Sequence, residues 1–387
     1  MTDYLAQRVL VNSQKQLVAR QAGTVLVKML SMDINAKGVA LGALLNLSSL
    51  EENARMLIKA GILAPLLSVI FAMPTVHNPA SLKLKETAAA TLAHLLCVPG
   101  NWESVVVDFE GNTLQSEVVI HKLLGLLTFI GPNWKDKILQ ILHEIASSPQ
   151  AADKISKHIK TGNGMPIIVA LMQDSEASVC LNALKLLSRL SVQMGPDVGH
   201  ALTSTNQVSH LKEILKGEGM QERIAAASII SNMPLTESQV VEFLEVELVN
   251  WIVVAISDLK SGRLGKSSSR TSAKLLEGIL GVLLQFTRYN NPAILNTVCE
   301  QRVMGVFTKN LVLHGQPLVK EKAASARQGL LQESAVWMVE RILRVERYAQ
   351  RHAMDQGLSK ALVEAFKHGS PKTKRLAEDA LIHLKQL

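Results

Sequence analysis

Apolar residues between Ala36 and Leu67 recur at helical spacing, with Val39, Leu41, Leu44, Leu45 and Leu47 on one face that ends in Asn46-Leu47-Ser48. A polar break follows. Glu51–Lys59 then predicts a short second helix closed by Ala60-Gly61, and Pro65 starts another apolar run, Leu66 to Phe71. The same order of elements organises the rest of the chain. Counted from Asn46, the matching apolar pattern places equivalent positions at His94, Glu144, Arg189, Asn232, Gln285, Arg341 and His383, with gaps of 42 to 56 residues between neighbours. Units that each bury their apolar face only against the next build a core that grows in one dimension. The expectation is an all-α chain, one α-solenoid over residues 1–387 with about eight repeats.

The gaps longer than a single unit locate the connections. Residues 4–31 predict two amphipathic helices split near Asn12-Ser13, with Leu17, Val18, Val25, Leu26 and Leu30 on apolar faces. Insertions are expected near 74–83, 98–115, 161–166 and 258–271. The first precedes a helix over Lys85–Leu96, and the second carries a Glu-Gly-Asn turn signal at Glu110–Asn112. Gly131-Pro132-Asn133 opens a helix at Trp134, and the segment Thr161 to Pro166 ends one helix and starts another. Gln332–His352 reads as one helix with Arg344, Arg347 and Arg351 on one face and Glu340 a turn before Arg344. Pro371 precedes a last amphipathic helix.

Composition adds two constraints. The chain is 48% apolar but only 4% aromatic, so aliphatic side chains must fill the core. No apolar run has the length of a membrane span and no signal segment is legible at the start. Cys97, Cys180 and Cys299 are an odd number without metal-ligand spacing, and read as small buried residues of a reducing compartment. Together these imply an intracellular soluble protein.

The net charge of +8 suits an anionic partner: nucleic acid, an acidic protein or an anionic membrane surface. Basic residues are not interleaved with aromatics and no nucleic-acid module is legible, so nucleic acid is not expected. The candidate contacts are Lys260, Arg263, Lys266 and Arg270 in the insertion, Arg344, Arg347 and Arg351 on the predicted helix, and Lys367, Lys372, Lys374 and Arg375 near the end. Each read alone is a solvated face or a pliable connector. Gathered on one side, they would form a cationic tip, with each Lys or Arg near an anionic lipid surface contributing about 1 kcal/mol. Ser267, Ser268 and Ser269 sit within the first cluster, where phosphorylation would cancel much of its charge.

Catalytic patterns fail on inspection. His143-Glu144 is followed by Ser147 where a zinc-protease helix needs a second His. Gly162 and Gly164 lack a third Gly, since Ile167 stands there, and no strand precedes them. Gly265-Lys266-Ser267 resembles the end of a phosphate-binding loop, but Lys260 occupies the first Gly position. No nucleophile-elbow pattern is present. Neither a cofactor nor a metal is expected.

The run Ala40-Leu41-Gly42-Ala43-Leu44-Leu45-Asn46-Leu47-Ser48, followed by Asn53, Ile58 and Gly61-Ile62, resembles the armadillo repeat, which implies an armadillo-type α-solenoid wound into a right-handed superhelix. Armadillo import receptors hold extended peptides with repeated groove Asn residues and a Trp one turn earlier. Only Asn46 and Asn232 keep that Asn, making them the candidate groove residues, and Gly42 and Ser228 stand where the Trp would be. Trp337 precedes Arg341 once, without an Asn. Residues 329–344 are similar to the C-terminal region of plant U-box armadillo proteins, and the irregular insertions to the long-armadillo subgroup that includes senescence-associated ubiquitin ligases. That resemblance implies a non-catalytic region of a U-box E3 ligase. It would bind substrates or adaptors, associate peripherally with the inner face of the plasma membrane, and depend for E2 docking on a U-box not legible in this chain. A stand-alone armadillo scaffold without ubiquitin chemistry is the alternative, and an active site assembled from distant repeats the third.

Overall fold

The polar residues that interrupt each apolar stretch become helix ends. The computed structural model describes residues 12–72, 79–100, 102, 104–129, 132–243, 248, 251–252, 254–255, 269–289, 291, 294, 296 and 322–385. They are helical apart from connections and one isolated antiparallel bridge between Val106 and Thr113. The chain divides into two compact units, residues 1–201 and 202–387.

In the first unit, α1 (Asn12–Met29) leads to Asp33, whose carboxylate accepts the amides of Asn35 and Ala36 at 2.9 and 3.0 Å and so caps α2 (Ile34–Ser48). Short α3 (Glu51–Lys59) carries Glu51 and Glu52 at its N-terminus and Lys59 at its end, each opposing the helix dipole. Gly61, with φ of +79°, turns the chain into α4 (Leu63–Phe71). Pro65 lies inside the first turn of α4 rather than at its start, where its missing N–H costs nothing. The faces of α2 buried most fully are Ala40, Leu41, Ala43, Leu44 and Leu47, whereas Val39 and Leu45 are half-buried. Alanine on two sides of α2 lets α1 and α5 (Pro79–Leu96) both pack against it. Helix α5 begins earlier than the breaker cluster suggested, so residues 79–83 of the expected insertion are helical.

Next come α6 (Glu117–Phe129), α7 (Pro132–Ile145) and α8 (Pro149–Thr161), the last capped by Ser148 Oγ accepting from the Ala151 amide at 3.1 Å. Only Gly162 and Asn163 separate α8 from α9 (Gly164–Ala170), with Asn163 in the left-handed region at φ 49°. A 3-10 turn over Leu171–Gln173 leads to α10 (Ala177–Ser204), which loses helical geometry at Met194 ahead of Pro196. Helices α2, α5 and α7 pack in succession as a row.

The second unit holds α11 (Val208–Lys216), α12 (Met220–Asn232), α13 (Glu237–Phe243), α14 (Ser269–Thr287), α15 (Lys322–Leu343), α16 (Glu346–His352), α17 (Gln356–His368) and α18 (Pro371–Lys385). Helices α12, α14, α15 and α18 form its row. Ser269 to Thr271, expected in the 258–271 insertion, form the first turn of α14; Lys260, Arg263, Lys266, Ser267 and Ser268 lie outside the described residues, as does the expected first helix of residues 4–31 before Asn12. The helix expected over Gln332–His352 breaks at Arg344-Val345, because Val345 takes extended backbone angles, φ −86° and ψ 110°, before α16 begins. The described cysteines are not core residues. Cys97 is exposed just past the end of α5 and Cys180 half-buried, their thiols donating to the Ala93 and Met172 carbonyls at 3.3 and 2.9 Å. Cys299 lies outside the described residues.

Glycine decides how closely α12 and α14 approach. A Cβ on Gly278 would stand 2.7 Å from Ala227 Cβ, and one on Gly281 2.5 Å from Ser231 Cβ. Gly125, inside α6, has nothing within 4 Å of such a Cβ. Gly281→Ala is therefore expected to destabilise the chain by about 1–3 kcal/mol. Gly125→Ala should stabilise it by about 0.5–1 kcal/mol through lower unfolded-chain entropy. Urea unfolding monitored by circular dichroism reads both.

Candidate functional site

The repeat positions counted from Asn46 gather at helix ends. Asn46, His94, Glu144, Asn232, Gln285, Arg341 and His383 each stand in the final turn of a helix, and Arg189 shortly before the break at Met194. These turns carry carbonyls with no partner inside their own helix. Side chains from elsewhere supply donors. In the first unit, Asn53 Nδ2 donates to Leu47 O at 3.2 Å, Gln115 Nε2 to Ile145 O at 3.2 Å, and Arg189 Nη1 to Ala146 O at 3.2 Å. His94 Nδ1 lies 3.3 Å from Ser48 Oγ. In the second unit, Gln285 Nε2 donates to Ser231 O and Arg341 Nη2 to Arg288 O, both at 2.9 Å.

A rule follows for Arg189, Gln285 and Arg341: the side chain at the repeat position reaches back and caps the helix end of the repeat before it. His94 points the same way, onto Ser48. Sequence reasoning had read these positions only as departures from a groove Asn. The signal was available in their chemistry, since Gln, Arg and His can span to a neighbouring carbonyl. Asn46 and Asn232 are half-buried at the ends of α2 and α12, and neither is without an interaction partner.

Glu144 and Arg189 are the charged positions of the first unit's row. His143 Nδ1 is 3.1 Å from Glu144 Oε1. Burial pushes the Glu144 carboxyl up, but the His143 hydrogen bond and charge, with Arg189 and Lys185, outweigh it and hold the pKa below its usual value. Burial lowers the Arg189 pKa, opposed by Glu144. The row is a mixed polar strip. Among the described residues no group of three His, Cys, Asp or Glu side chains stands close enough to hold a metal ion.

The expected basic contacts separate into paired and unpaired groups. Arg344 forms an ion pair with Glu340, a carboxylate buried to 1% exposure whose other neighbour is His383, at 3.5 Å. Lys372 is paired with Glu333 at 2.7 Å and Lys367 with Glu364 at 3.6 Å. Arg347 and Arg351 on α16, and Lys374 and Arg375 on α18, are exposed, and among the described residues none makes an ion pair. Helices α16 and α18 pack together, which brings these four onto neighbouring elements, while Glu378 and Asp379 one turn along α18 temper the charge. Arg270 falls within α14, and its side chain lies outside the described set. Among the described residues no single helix is long and apolar enough to cross a membrane.

Two expectations can be checked directly. Gln285→Ala should cost about 0.5–1.5 kcal/mol of unfolding free energy by leaving Ser231 O without its donor, measured by urea denaturation. His352 sits half-buried on α16 with Nε2 lacking a hydrogen-bond partner. Its pKa is lowered by burial first and by Arg351, against an upward pull from Asp355. The folded chain therefore favours the neutral ring, while the unfolded chain takes up a proton as pH falls through about 6.5. Stability is full above that pH and falls below it. His352→Gln should flatten this acid-side decline in thermal midpoint.

No protein-family model matches the chain. Its curated relatives include U-box domain-containing protein 44 of Arabidopsis thaliana, 26% identical over all of this chain and 62% of the relative, and U-box domain-containing protein 24 of Oryza sativa subsp. japonica, 26% identical over all of this chain and 64% of the relative. The chain thus spans less than two thirds of these relatives' length. Among solved structures, a chain from work on a conserved phosphorylation switch controlling the cadherin and beta-catenin interaction superposes with a TM-score of 0.77 at 15% identity, covering 100% of this chain and 72% of that one. An engineered protein superposes with a TM-score of 0.63 at 16% identity, covering 99% of this chain and 94% of that one. The fold is an armadillo-type α-solenoid, and the chain's sequence relatives are plant U-box domain-containing proteins.

Proposed function

We propose that this chain is the substrate- and adaptor-binding region of a plant U-box E3 ubiquitin ligase, and that its cationic C-terminal surface holds the ligase peripherally at the inner face of the plasma membrane. The observation that carries the ligase reading is the match to U-box proteins along the chain's whole length, over less than two thirds of theirs. On this reading the work is positional. A U-box elsewhere in the parent protein docks the charged E2, while the solenoid presents a bound protein's lysines to it. No residue of this chain takes part in ubiquitin transfer.

Substrate recognition on this reading follows side-chain chemistry rather than an Asn ladder. Arg189, Gln285 and Arg341 are engaged on carbonyls of the preceding repeat, so they are not available to hold a peptide backbone. The membrane part of the proposal draws support from exposed Arg347, Arg351, Lys374 and Arg375 on two packed helices. Attachment of this kind is electrostatic, needs no inserted helix and weakens with salt.

Fusion of the chain to a U-box from one of these relatives, followed by proximity labelling and ubiquitination of labelled proteins in vitro, tests the ligase reading. Transfer to proteins bound by the chain is expected, and bound proteins left unmodified would contradict it. Membrane attachment is tested by cosedimentation with neutral and phosphatidylserine-containing vesicles. The chain should pellet with the anionic vesicles at low salt only. The combined Arg347→Glu, Arg351→Glu, Lys374→Glu and Arg375→Glu variant should lose about a thousandfold in apparent affinity, at about 1 kcal/mol per basic group. No pelleting under any condition would reject the membrane part alone.

A further inference from the structure

Away from the row of repeat positions, the first unit carries a cavity of about 740 Å³. Its apolar walls include Leu67 and Phe71 of α4, Val106 of the connection before α6, and Val119 of α6. Lys37 and Lys122 stand at its lining, with Lys37 in the first turn of α2, the opposite end of that helix from Asn46. The cavity therefore faces a different side of the repeats from the capped helix ends.

One wall is a preformed turn. Asp108 Oδ1 accepts the amides of Glu110 and Asn112 at 3.0 and 2.9 Å, and its Oδ2 accepts Asn112 Nδ2 at 2.8 Å. Val107 N donates to Asn112 O at 2.7 Å, and Gly111 takes φ of +81°. Trp102, Val107 and Leu114 are buried and fix the connection to the helices beneath. At the tip of this turn Phe109 is fully exposed, at 111% relative accessibility, and Val106 beside it is 56% exposed. A held turn presenting an aromatic ring at a cavity with mixed apolar and polar walls has the composition of a binding hot spot, and little conformational entropy would be lost in covering it.

Charge selects the occupant. Neither Lys37 nor Lys122 makes an ion pair among the described residues; Lys122 lies 5.5 Å from the centre of the Phe71 ring. The one carboxylate of the lining, Asp108, keeps its negative charge: the Asn112 side-chain hydrogen bond first, then the Asn112 and Glu110 amides and the Lys122 charge, hold its pKa below the usual value. Two lysines against one aspartate leave the lining with a net charge of +1, and the chain's net charge of +8 adds long-range attraction of the same sense. We infer that this cavity, with Phe109 and Lys122 at its edge, docks a short acidic peptide segment of a partner protein that carries one bulky apolar anchor residue. This surface is independent of the ligase reading and would serve a scaffold equally.

The test is selection of a displayed random peptide library on the full chain after depletion on the Phe109→Ala, Lys122→Glu double variant. Recovered peptides should be acidic around an aromatic or aliphatic anchor. Measured by fluorescence anisotropy, their affinity should fall about tenfold or more for either single variant and persist for Lys122→Arg. Unchanged circular dichroism spectra and melting of Phe109→Ala, whose ring is exposed, keep the readout from reflecting misfolding. Failure to recover acidic peptides, equal binding to the variants, or recruitment of the chain to anionic vesicles through these same residues would overturn the proposal.

Discussion

Every helix in a stacked array ends in carbonyls that nothing within the helix can satisfy, and at the seam between repeats those ends are only partly open to water. Here the seam is closed by side chains from the following repeat. Arg189 reaches Ala146 O, Gln285 reaches Ser231 O and Arg341 reaches Arg288 O. These bonds join helices that also pack through small residues, as where Gly278 and Gly281 of α14 meet Ala227 and Ser231. Close approach and capping depend on each other. The donor reaches its carbonyl only because the backbones are near, and the approach leaves the carbonyl short of solvent.

This use of the repeat position constrains function. Long donors at the repeat positions are turned onto the scaffold, and Glu144 is hydrogen-bonded to His143 and feels the Arg189 charge. Side chains that make no ion pair among the described residues include Arg347, Arg351, Lys374 and Arg375 in the second unit, and Lys37 and Lys122 near the exposed Phe109 turn in the first; these carry the binding surfaces we propose.

The fold was legible because helical periodicity and chain breakers act locally. Glu51–Lys59 is the helix the pattern described, Gly61 takes the positive φ its position required, and the repeat positions counted from Asn46 fall at helix ends. Pro65 was misplaced because proline is tolerated anywhere in a first turn, not only at its start. Cys97 was misread as buried because burial of a small residue depends on which side of the helix end the next repeat covers. The site was less legible for a related reason. Partners such as Gln285 and Ser231, or Arg341 and Arg288, are more than fifty residues apart, and no local pattern reports which carbonyl a side chain will find. Phe109 shows the same limit, since Glu110-Gly111-Asn112 announced a turn but not that the aromatic residue before it faces outward.

Native-state hydrogen exchange on wild type and Arg189→Ala tests the seam most directly, because it resolves where stability is lost. If the donor couples neighbouring repeats, its removal lowers protection at the end of α7 and in the part of α10 before Met194 by the same free energy. If protection changes only around residue 189 while the α7 end is untouched, the repeat positions do not bind one unit to the next, and the account of this chain as a side-chain-capped stack is wrong.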